Sequence, residues 1–357
     1  MICGVNRRMT AAPVYLAPKH FYDDKIKSLT VRVLFWALLL FWAVPASAQL
    51  TKINVAYGGV GGDLLPVLVA KEAGIFEKNG LDARLIFFTG GTTTVLALIS
   101  GDVQIGQVAG PAVVNSAIGG SDLVMVAGGI TSLNYWLMGR TDVKTPDQLR
   151  GGSVAISRFG SATDFIARFA LPKLGLTPGR DVAVVQIGDS PARLGAILTG
   201  RAHAAVLGSL PGAIAQKRGM NILADVAKMG LVIQHTGIAT TRRFIKGNRD
   251  LVRMYVKSQV EAVHRIWTDK KTTIGAFVKF AGSGVEREIL EKIREGLLSE
   301  AMLSKKQYPS LEGLKTILAS MAETDPRARA AKPEEFADLS FIKELDQSGY
   351  IDSLYRN

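Results

Sequence analysis

Cysteine is almost absent from this sequence of 357 residues, whose single thiol is Cys3. Histidine is scarce too, and the four histidines show no metal-ligand spacing. One cysteine cannot close a disulfide within the chain, and without clustered Cys or His residues there is no recognisable zinc site. We therefore predict no metal site and a fold stabilised by its apolar core without disulfides.

Catalytic motifs are missing as well. The sequence contains no Gly-x-Ser-x-Gly nucleophile elbow, no His-Glu-x-x-His zinc motif and no convincing carboxylate pair. The glycine-rich segment 58–63 is not a Walker A loop, because no Gly-Lys-Ser/Thr follows it. It is not the dinucleotide fingerprint either, because Leu64 stands where that motif needs glycine. These absences predict a protein that is not an enzyme, has no catalytic residues and uses no cofactor.

Aromatic residues make up only 7% of the chain, and its basic residues are dispersed over helical patterns. The formal charge is +12, and the part after residue 48 keeps 37 Lys and Arg against 29 Asp and Glu, a charge of +8. Nucleic-acid-binding proteins cluster their cations and place aromatic side chains among them. A basic soluble surface therefore explains the charge, and nucleic acid is not an expected partner.

The apolar run at 33–44 has twelve residues, whereas a membrane-spanning helix needs about 20. Basic residues precede it from position 25, and Ala46-Ser47-Ala48 follows it, which is the arrangement of a secretory signal peptide. We expect cleavage after Ala48, a mature chain of 309 residues and a periplasmic location; an uncleaved membrane anchor is the alternative. Because Cys3 precedes the cut, the mature chain offers no cysteine for a lipid anchor.

Beyond residue 50, short β-branched runs alternate with helical patterns, which predicts α/β units and a mainly parallel sheet. Strands are predicted at 52–57, 81–88, 103–108, 123–127, 153–157, 182–187 and 202–207. Helices follow most of them. After a returning strand near 235–240, apolar residues recur at three- and four-residue spacing in five segments. These predicted helices are 250–267, 272–280, 285–299, 311–322 and 339–348. Such a tail is expected to pack on an α/β unit rather than form its own core.

The α/β plan occurs twice along the chain. A shift of 99 residues without any gap aligns Gly80 with Gly179, Asp82 with Asp181, Ala97 with Ala196, and Gly101 with Gly200. Both copies contain, in order, a strand, a turn, a helix ended by glycine, a second strand, a turn and a second helix. Two copies of this length indicate two similar α/β lobes rather than a solenoid.

Short motifs also recur along the chain in a set order. They are 71–82 (KEAGIFEKNGLD), 97–105 (ALISGDVQI), 147–155 (DQLRGGSVA), Gly160-Ser161, 237–241 (GIATT) and 350–352 (YID). In order and spacing this set resembles the signatures of periplasmic solute-binding proteins of nitrate, sulfonate and taurine ABC importers. That class is related to thiamine-pyrimidine synthase-like proteins. No single motif is specific, but together they cover about 50–357.

The resemblance implies an α/β, two-lobed periplasmic-binding-protein-like fold of type II, with two hinge crossovers and a helical C-terminal tail. We place the first lobe at 51–138 plus 238–357 and the second at 139–237. The residues themselves favour two crossovers, because the chain leaves the first copy near 135–140 and returns near 235–238.

Ligands of parallel α/β sheets bind beyond the carboxyl ends of the strands, where helix N-termini present free N–H groups. The candidate ligand-binding residues therefore lie in the strand-to-helix turns and at the crossovers. They are Gly58, Gly59, Gly61, Asp63, Gly91, Thr92, Thr93, Ala109, Gly110, Tyr135, Trp136, Gly160, Ser161, Thr163, Asp189, Gly208, Ser209 and His235.

Several of these residues have a second interpretation. Asp63 and Asp189 are suited to cap the helices that follow them, and for Asp189 the cap is favoured over a cation site. The hydroxyls of Thr92 and Thr93 fit an oxyanion or ordinary capping equally well.

The aromatic residues of the first crossover have two interpretations as well. Tyr135 and Trp136 could cover a ligand or be buried in a lobe. His235 is a weaker ligand candidate, and Arg158 is interpreted as a solvated arginine rather than a partner of an acidic ligand.

We predict an extracytoplasmic solute-binding component of an ABC importer, monomeric, which closes around one small anionic or polar organic molecule. It would deliver this ligand to a permease and ATPase complex in the inner membrane. The alternatives are a component that serves a sensor or another importer class, and a thiamine-pyrimidine synthase-like enzyme, which would rely on a cysteine-rich motif. Nitrate, sulfonates, aromatic acids, pyrimidine precursors and metabolite amides all remain open. The scarcity of cations at the turns disfavours a highly charged ligand.

Overall fold

Two five-stranded sheets organise the chain. The computed structural model describes residues 49–58, 61–132, 134–282, 284–323 and 325–356, so the predicted signal peptide lies outside the described residues. The strands described are β1 Thr51–Tyr57, β2 Leu81–Phe87, β3 Ile105–Ala109, β4 Leu123–Ala127, β5 Tyr135–Gly139, β6 Ser153–Ile156, β7 Ala183–Gln186, β8 Ala204–Gly208, β9 Asn221–Asp225 and β10 Thr236–Thr241.

In each sheet four strands run in one direction, and the inserted fourth strand runs opposite to them. The first sheet has the order β2-β1-β3-β10-β4 and the second β7-β6-β8-β5-β9. β1 pairs in parallel with β2 and β3, as β6 does with β7 and β8. β10 is antiparallel to both of its neighbours, and so is β5. We call each sheet with the helices packed on it a lobe, the first lobe holding β1–β4 and β10. The mainly parallel sheet and the two-lobed fold predicted from sequence are confirmed.

Helices connect the strands and continue after the last one. Those described are α1 Leu65–Glu72, α2 Ile75–Lys78, α3 Gly91–Ser100, α4 Gly110–Ile118, α5 Ala162–Lys173, α6 Ser190–Leu198, α7 Ser209–Lys217, α8 Arg242–Gly247, α9 Arg249–Thr268, α10 Lys270–Ala281, α11 Arg287–Leu297, α12 Leu311–Met321, α13 Pro326–Ala330, α14 Ser340–Gln347 and α15 Tyr350–Leu354. Among the described residues, none of these helices combines the length and the apolar character needed to cross a bilayer.

The 99-residue repeat is reproduced in the secondary structure. Strands β3 and β8 begin and end at positions separated by that shift, and so do helices α4 and α7. Both sheets also share one strand order, with the strand that enters from the other lobe in the same fourth place. The two lobes are therefore copies of one plan.

The chain changes sheets at slightly different residues from those predicted. Tyr135–Gly139 pairs with the second sheet, although residues up to 138 were predicted to belong to the first lobe. Thr236–Thr241 pairs with the first sheet, although the second lobe was predicted to extend to 237. The pattern of a strand does not specify its pairing partner, which is why a sequence places a crossover only approximately.

The helical tail packs on the first lobe, as predicted. Helix α9 lies against α1, and Lys78 joins the two parts through a 2.7 Å ion pair with Glu261. Tyr255, Phe277 and Phe341 of the tail are fully buried in the same core as the first sheet. Burying each such side chain contributes about 1.5–3 kcal/mol. This shared core fixes the helical tail to the first sheet.

Candidate ligand-binding site

The two lobes enclose a cavity of about 80 Å³ at the carboxyl ends of their parallel strands. Turns and helix N-termini from both sheets line it. The lining residues are Gly58, Asp63, Leu64, Gly90, Gly91, Thr94, Gln107, Val108, Ala109, Tyr135, Ser157, Ser161, Ala162, Thr163, Asp189, Ser190, Arg193, His235 and Thr236. Helices α3, α5 and α6 each contribute their first residue, whose main-chain N–H has no described partner. Further along α6, Pro191 has no N–H and that of Ala192 is capped by Asp189.

Much of this lining consists of positions related by the repeat. Six pairs separated by 99 residues both line the cavity: Gly58 and Ser157, Asp63 and Ala162, Leu64 and Thr163, Gly90 and Asp189, Gly91 and Ser190, and Thr94 and Arg193. Because the same turns of both copies face one gap, the repeat brings two sets of helix N-termini together. Such N-termini favour negative charge and hydrogen-bond acceptors.

Three hydroxyls form a hydrogen-bonded cluster at the start of α5. Ser157 Oγ lies 2.9 Å from Ser161 Oγ and 2.9 Å from Thr163 Oγ1, and the other two oxygens are 3.0 Å apart. The main-chain N–H of Ser157 donates to Thr163 Oγ1 at 2.8 Å, and Ser161 Oγ donates to the carbonyl of Arg158 at 2.6 Å. These bonds fix the hydroxyl oxygens before any ligand arrives, which lowers the entropic cost of binding.

Arg193 is the cation of the cavity, and only 3% of it is exposed. Its Nε donates to the carbonyl of Val206 at 3.0 Å, Nη1 to that of Gly188, and Nη2 to Ser190 Oγ at 2.9 Å. A guanidinium has five N–H groups, so one on each terminal nitrogen has no described partner. Burial lowers the pKa of Arg193, while Tyr135 and Asp189 oppose the shift; arginine stays charged nonetheless.

The polar side chains beside the first-lobe wall are connected to one another. Asp63 Oδ2 lies 3.4 Å from His235 Nε2, and the rings of His235 and Tyr135 meet edge to face with centroids 5.2 Å apart. Gln107 is buried, and its Nε2 donates to the main-chain oxygen of Asp63 at 3.1 Å. Burial raises the pKa of Tyr135; Asp63 adds to the shift and Arg193 opposes it.

The lobes touch each other beside the cavity. Thr92 Oγ1 of the first lobe donates to the carbonyl of Phe159 of the second at 3.2 Å. A Cβ built on Gly90 would lie 3.2 Å from Ser157 Oγ, so glycine permits this close approach. The structure therefore represents a closed arrangement of the two lobes.

Half of the residues predicted from sequence line the cavity. These are Gly58, Asp63, Gly91, Ala109, Tyr135, Ser161, Thr163, Asp189 and His235. Gly59 lies outside the described residues. The structure places the remaining eight elsewhere: Gly61, Thr92, Thr93, Gly110, Trp136, Gly160, Gly208 and Ser209.

Local packing explains several of these positions. The main chain of Gly110 donates to the carbonyl of His235, and a Cβ there would collide with the oxygen of Gln234. Trp136 packs over Gly212 of α7, on the opposite face of its strand from Tyr135. Asp189 lines the cavity and also caps α6 by accepting from the main-chain N–H of Ala192 at 2.9 Å.

The other predicted residues that do not line the cavity lie in neighbouring parts of the structure. Thr93 Oγ1 donates to the carbonyls of Thr89 and Gly90, and the start of α3 has no side-chain cap, so the capping interpretation of Thr93 is wrong. Gly160 lines an open groove of about 680 Å³ outside the cavity, and Gly208 and Ser209 line an adjoining space of about 10 Å³. Gly61 precedes the short 3₁₀ turn Gly62–Leu64, and Arg158 is exposed, as predicted.

Sequence reasoning missed three side chains that dominate the site chemistry. Arg193 lies on the buried face of α6 with Ala196 and Ile197, three and four residues on. An arginine on an apolar helix face was the available signal. Gln107 is a polar residue inside a buried strand, and Ser157 is the repeat partner of Gly58. Within the described parts of the chain, no group of three or more His, Cys, Asp or Glu residues could hold a metal ion.

Comparison with known proteins relates this geometry to a family. The sequence-family model described as "NMT1/THI5 like" matches residues 62–269, more than half of the chain. The chain belongs to the NMT1/THI5-like family. The matched span contains most of the cavity lining in both lobes.

A relative of this NMT1/THI5-like chain is also named as a binding protein. "Putative binding protein YtlA" of Bacillus subtilis (strain 168) is 23% identical over 301 residues, which cover 80% of this chain and 89% of the relative.

Solved structures share the fold. The alkanesulfonate-binding protein SsuA of Xanthomonas axonopodis pv. citri, bound to MOPS, aligns with a TM-score of 0.65 at 16% identity, covering 81% of this chain and 98% of SsuA. The periplasmic nitrate-binding protein NrtA of Synechocystis PCC 6803 aligns with a TM-score of 0.71 at 13% identity, covering 84% of this chain and 89% of NrtA. The periplasmic-binding-protein fold and the predicted resemblance to the nitrate and sulfonate class are confirmed.

Proposed function

We propose that this protein is the extracytoplasmic solute-binding component of an ABC importer and holds one small anionic or polar organic molecule between its lobes. The observation that carries the proposal is the cavity, where helix N-termini of both lobes and the buried Arg193 surround one space. A ligand there would be held by hydrogen bonds and charge.

The proposal includes the ligand-binding set and the export route predicted from sequence. Within the cavity, the second lobe would hold an acidic group through Arg193, the hydroxyl cluster and the N–H groups at the starts of α5 and α6. Charge-assisted hydrogen bonds of this kind contribute about 1.5–3 kcal/mol each. A periplasmic monomer, cleaved after Ala48, would then deliver the ligand to a permease and ATPase complex. Relatives named as binding proteins, and the periplasmic nitrate-binding protein of the same fold, support this proposal.

Opening and closing would be part of this function. The two crossovers are the only described main-chain links between the sheets, at 127–135 and 225–236, so they are suited to act as a hinge. A closed ligand complex would have the interlobe contacts of Thr92 and Gly90 described above. An open form would expose the cavity to solvent.

The test is retention of an unaltered ligand. The full-length gene is expressed in a Gram-negative host, the protein is purified from the periplasmic fraction, and its first residue is read by N-terminal sequencing. Thermal-shift screening against small sulfonates, carboxylates, nitrate and pyrimidine precursors follows, with mass spectrometry of the released compound. We expect a protein beginning at Gln49 and a saturable rise in melting temperature with the compound recovered intact.

Each part of the proposal has its own contrary result. A compound recovered as a reaction product would favour the synthase-like enzyme instead. Protein found only in the cytoplasm would contradict the export route, and no stabilisation by any small molecule would contradict the solute-binding role.

A further inference from the structure

Two opposite charges line the cavity without pairing with each other. Asp63 and Arg193 both face it, yet within the described residues Arg193 forms no ion pair and Asp63 meets only the ring of His235. Arg193 is buried, and a buried charge is costly unless it is compensated, whereas 25% of the Asp63 side chain is exposed. Asp189, the nearest acidic residue along the chain, uses its carboxylate to cap α6. The guanidinium and the Asp63 carboxylate are therefore both available to something that occupies the space between the lobes.

The wall beside Asp63 also holds buried polar atoms without hydrogen-bond partners. Gln107 Nε2 donates to a main-chain carbonyl, which accepts only, so this bond fixes which end of the amide is oxygen. The amide oxygen Oε1 is then buried with no hydrogen-bond partner, and Gln107 is only 1% exposed. Both ring nitrogens of His235, which is 2% exposed, also lack a hydrogen-bond partner. An unsatisfied buried acceptor is costly, and a donor in the cavity would pair with the Gln107 oxygen and with the ring nitrogen of His235 that carries no proton.

We propose that the cavity selects a bipolar ligand, with an acidic group bound to Arg193 and an ammonium or other N–H donor bound to Asp63 and Gln107. This inference rests on the proposed solute-binding function and names the ligand class of the same site. The two ends of the ligand would be held by different lobes, so a molecule with both ends would draw the lobes together.

Both ends lie on one small cavity, because Asp63 and Arg193 line the same space between the lobes. A cavity of about 80 Å³ also leaves room for only a small molecule. Amino acids or aminosulfonates with a short carbon chain fit these limits.

The test compares probes that differ at one end only. Isothermal titration calorimetry is run with ω-aminoalkanesulfonates and ω-amino acids of two to four carbons. Each is paired with the unsubstituted alkanesulfonate or carboxylate of equal length. We expect at least one amino-bearing probe to bind about tenfold or more tightly than its unsubstituted partner, the effect of one charge-assisted contact.

Variants assign each end of the ligand. Asp63→Asn should reduce the preference for the amino group to below about threefold and leave the affinity for the unsubstituted acid nearly unchanged. Arg193→Lys should weaken both members of a pair, because lysine lacks the planar fork. Gln107→Leu serves as a second variant on the donor side if Asp63→Asn does not fold. Asp82→Asn, an exposed carboxylate on β2, is the matched control and should change neither value.

The outcomes separate this inference from the proposed function. Equal binding of both members of every pair, with loss in Arg193→Lys, overturns the bipolar ligand and leaves the solute-binding role intact. The same holds if no probe of either series binds while another compound is retained unaltered. Failure to retain any small molecule contradicts the proposed function itself.

Discussion

The first lobe reaches the cavity with residues that have no polar side chain at four places where the second lobe has polar ones. The pairs are Gly58 and Ser157, Leu64 and Thr163, Gly90 and Asp189, and Gly91 and Ser190. In a fifth pair, the first lobe has the neutral Thr94 where the second lobe has the charged Arg193. The backbone plan is shared, and with it the N–H groups at the helix N-termini. Side-chain chemistry is concentrated in the second lobe, while the first lobe adds acceptors at Asp63 and Gln107.

One repeat serves two tasks in this fold. Main-chain donors come with the fold itself, because any strand-to-helix turn presents them. Charge and hydroxyl groups depend on individual side chains, which can differ between copies without altering the fold. Small residues such as Gly90 in one copy leave space for the polar side chains of the other.

The largest expected effect comes from the pair of Thr94 and Arg193. Arg193→Lys should weaken binding of the best acidic ligand about 10- to 100-fold, because two fixed N–H groups of the guanidinium are lost. Thr94→Val, nearly the same shape, should change affinity by less than about threefold, since the Thr94 hydroxyl already donates to the carbonyl of Gly90 at 3.1 Å. Calorimetric titration measures both. Arg158→Lys, an exposed arginine of the same lobe, is the control. Equal losses of ligand affinity in Thr94→Val and Arg193→Lys would contradict the difference in side-chain chemistry between the two lobes.

A second prediction concerns the approach of the lobes at Gly90. Gly90 and Gly101 precede and follow helix α3 with φ of 82° and 85°, so alanine strains the backbone at both. The strain is larger at Gly90, whose ψ of 168° lies in a region essentially restricted to glycine, whereas ψ is 6° at Gly101. At Gly90 the new methyl group would also lie 3.2 Å from Ser157 Oγ, whereas nothing lies within 4 Å at Gly101. Gly90→Ala should therefore lose more unfolding free energy in urea than Gly101→Ala. We expect only Gly90→Ala to weaken ligand binding, by several-fold.

Small-angle scattering provides the check on this mechanism. With ligand present, Gly101→Ala should contract like the unmodified protein, and Gly90→Ala should stay more extended. If Gly101→Ala lost affinity to the same degree, backbone strain rather than lobe contact would be the cause.

A smaller effect is expected for the hydroxyl pair. Ser157→Ala removes one member of the hydroxyl cluster and should reduce ligand affinity about three- to tenfold, the effect of one hydrogen bond. Gly58→Ser adds the equivalent hydroxyl to the first lobe, where a Cβ would meet its nearest neighbours at an ordinary 3.7 Å. We expect affinity within about twofold of the original by the same titration. A larger loss of ligand affinity in Gly58→Ser than in Ser157→Ala would contradict the assignment of the side-chain contacts to the second lobe.

The smallest effect concerns an ion pair between the lobes away from the cavity. Lys217, at the end of α7, pairs with Glu286 just before α11, and both side chains are more than half exposed. Lys217→Ala should lower the unfolding free energy by no more than about 1 kcal/mol, and 0.5 M salt should remove the difference. Lys228→Ala, which breaks an exposed pair with Asp225 inside the second lobe, is the control. A difference that persists in salt would contradict a purely ionic origin.

Much of the fold was readable because its signals are local. The tail helix predicted at 311–322 is observed at Leu311–Met321, and α9 extends the predicted 250–267 by one residue at each end. Apolar spacing and capping residues depend only on near neighbours, so they can be recognised in the sequence without knowledge of the fold. The repeat predicted two lobes for the same reason. Pairing partners are non-local, so residues 135–138 were assigned to the first lobe although their strand pairs with the second sheet.

The site was only partly readable. The turns after strands predicted Asp63 and Ser161, the crossover predicted His235, and all three line the cavity. Arg193 was missed, because it lies one turn inside a helix and reaches the cavity only through its long side chain. Tyr135 and Trp136 are adjacent and chemically alike, and the register of β5 alone decides which of them faces the cavity.

By itself, the sequence determined the alternation of strands and helices, the two copies of one plan, the turns that carry helix N-termini, and the absence of cysteine after residue 3. These follow from composition and from spacing along the chain. Tertiary structure alone decided that the two copies face each other and that Arg193, Asp63 and Gln107 share one cavity. The reason is physical: a cavity depends on distances between residues far apart in the chain, and those distances exist only after the sheets have paired and the lobes have packed.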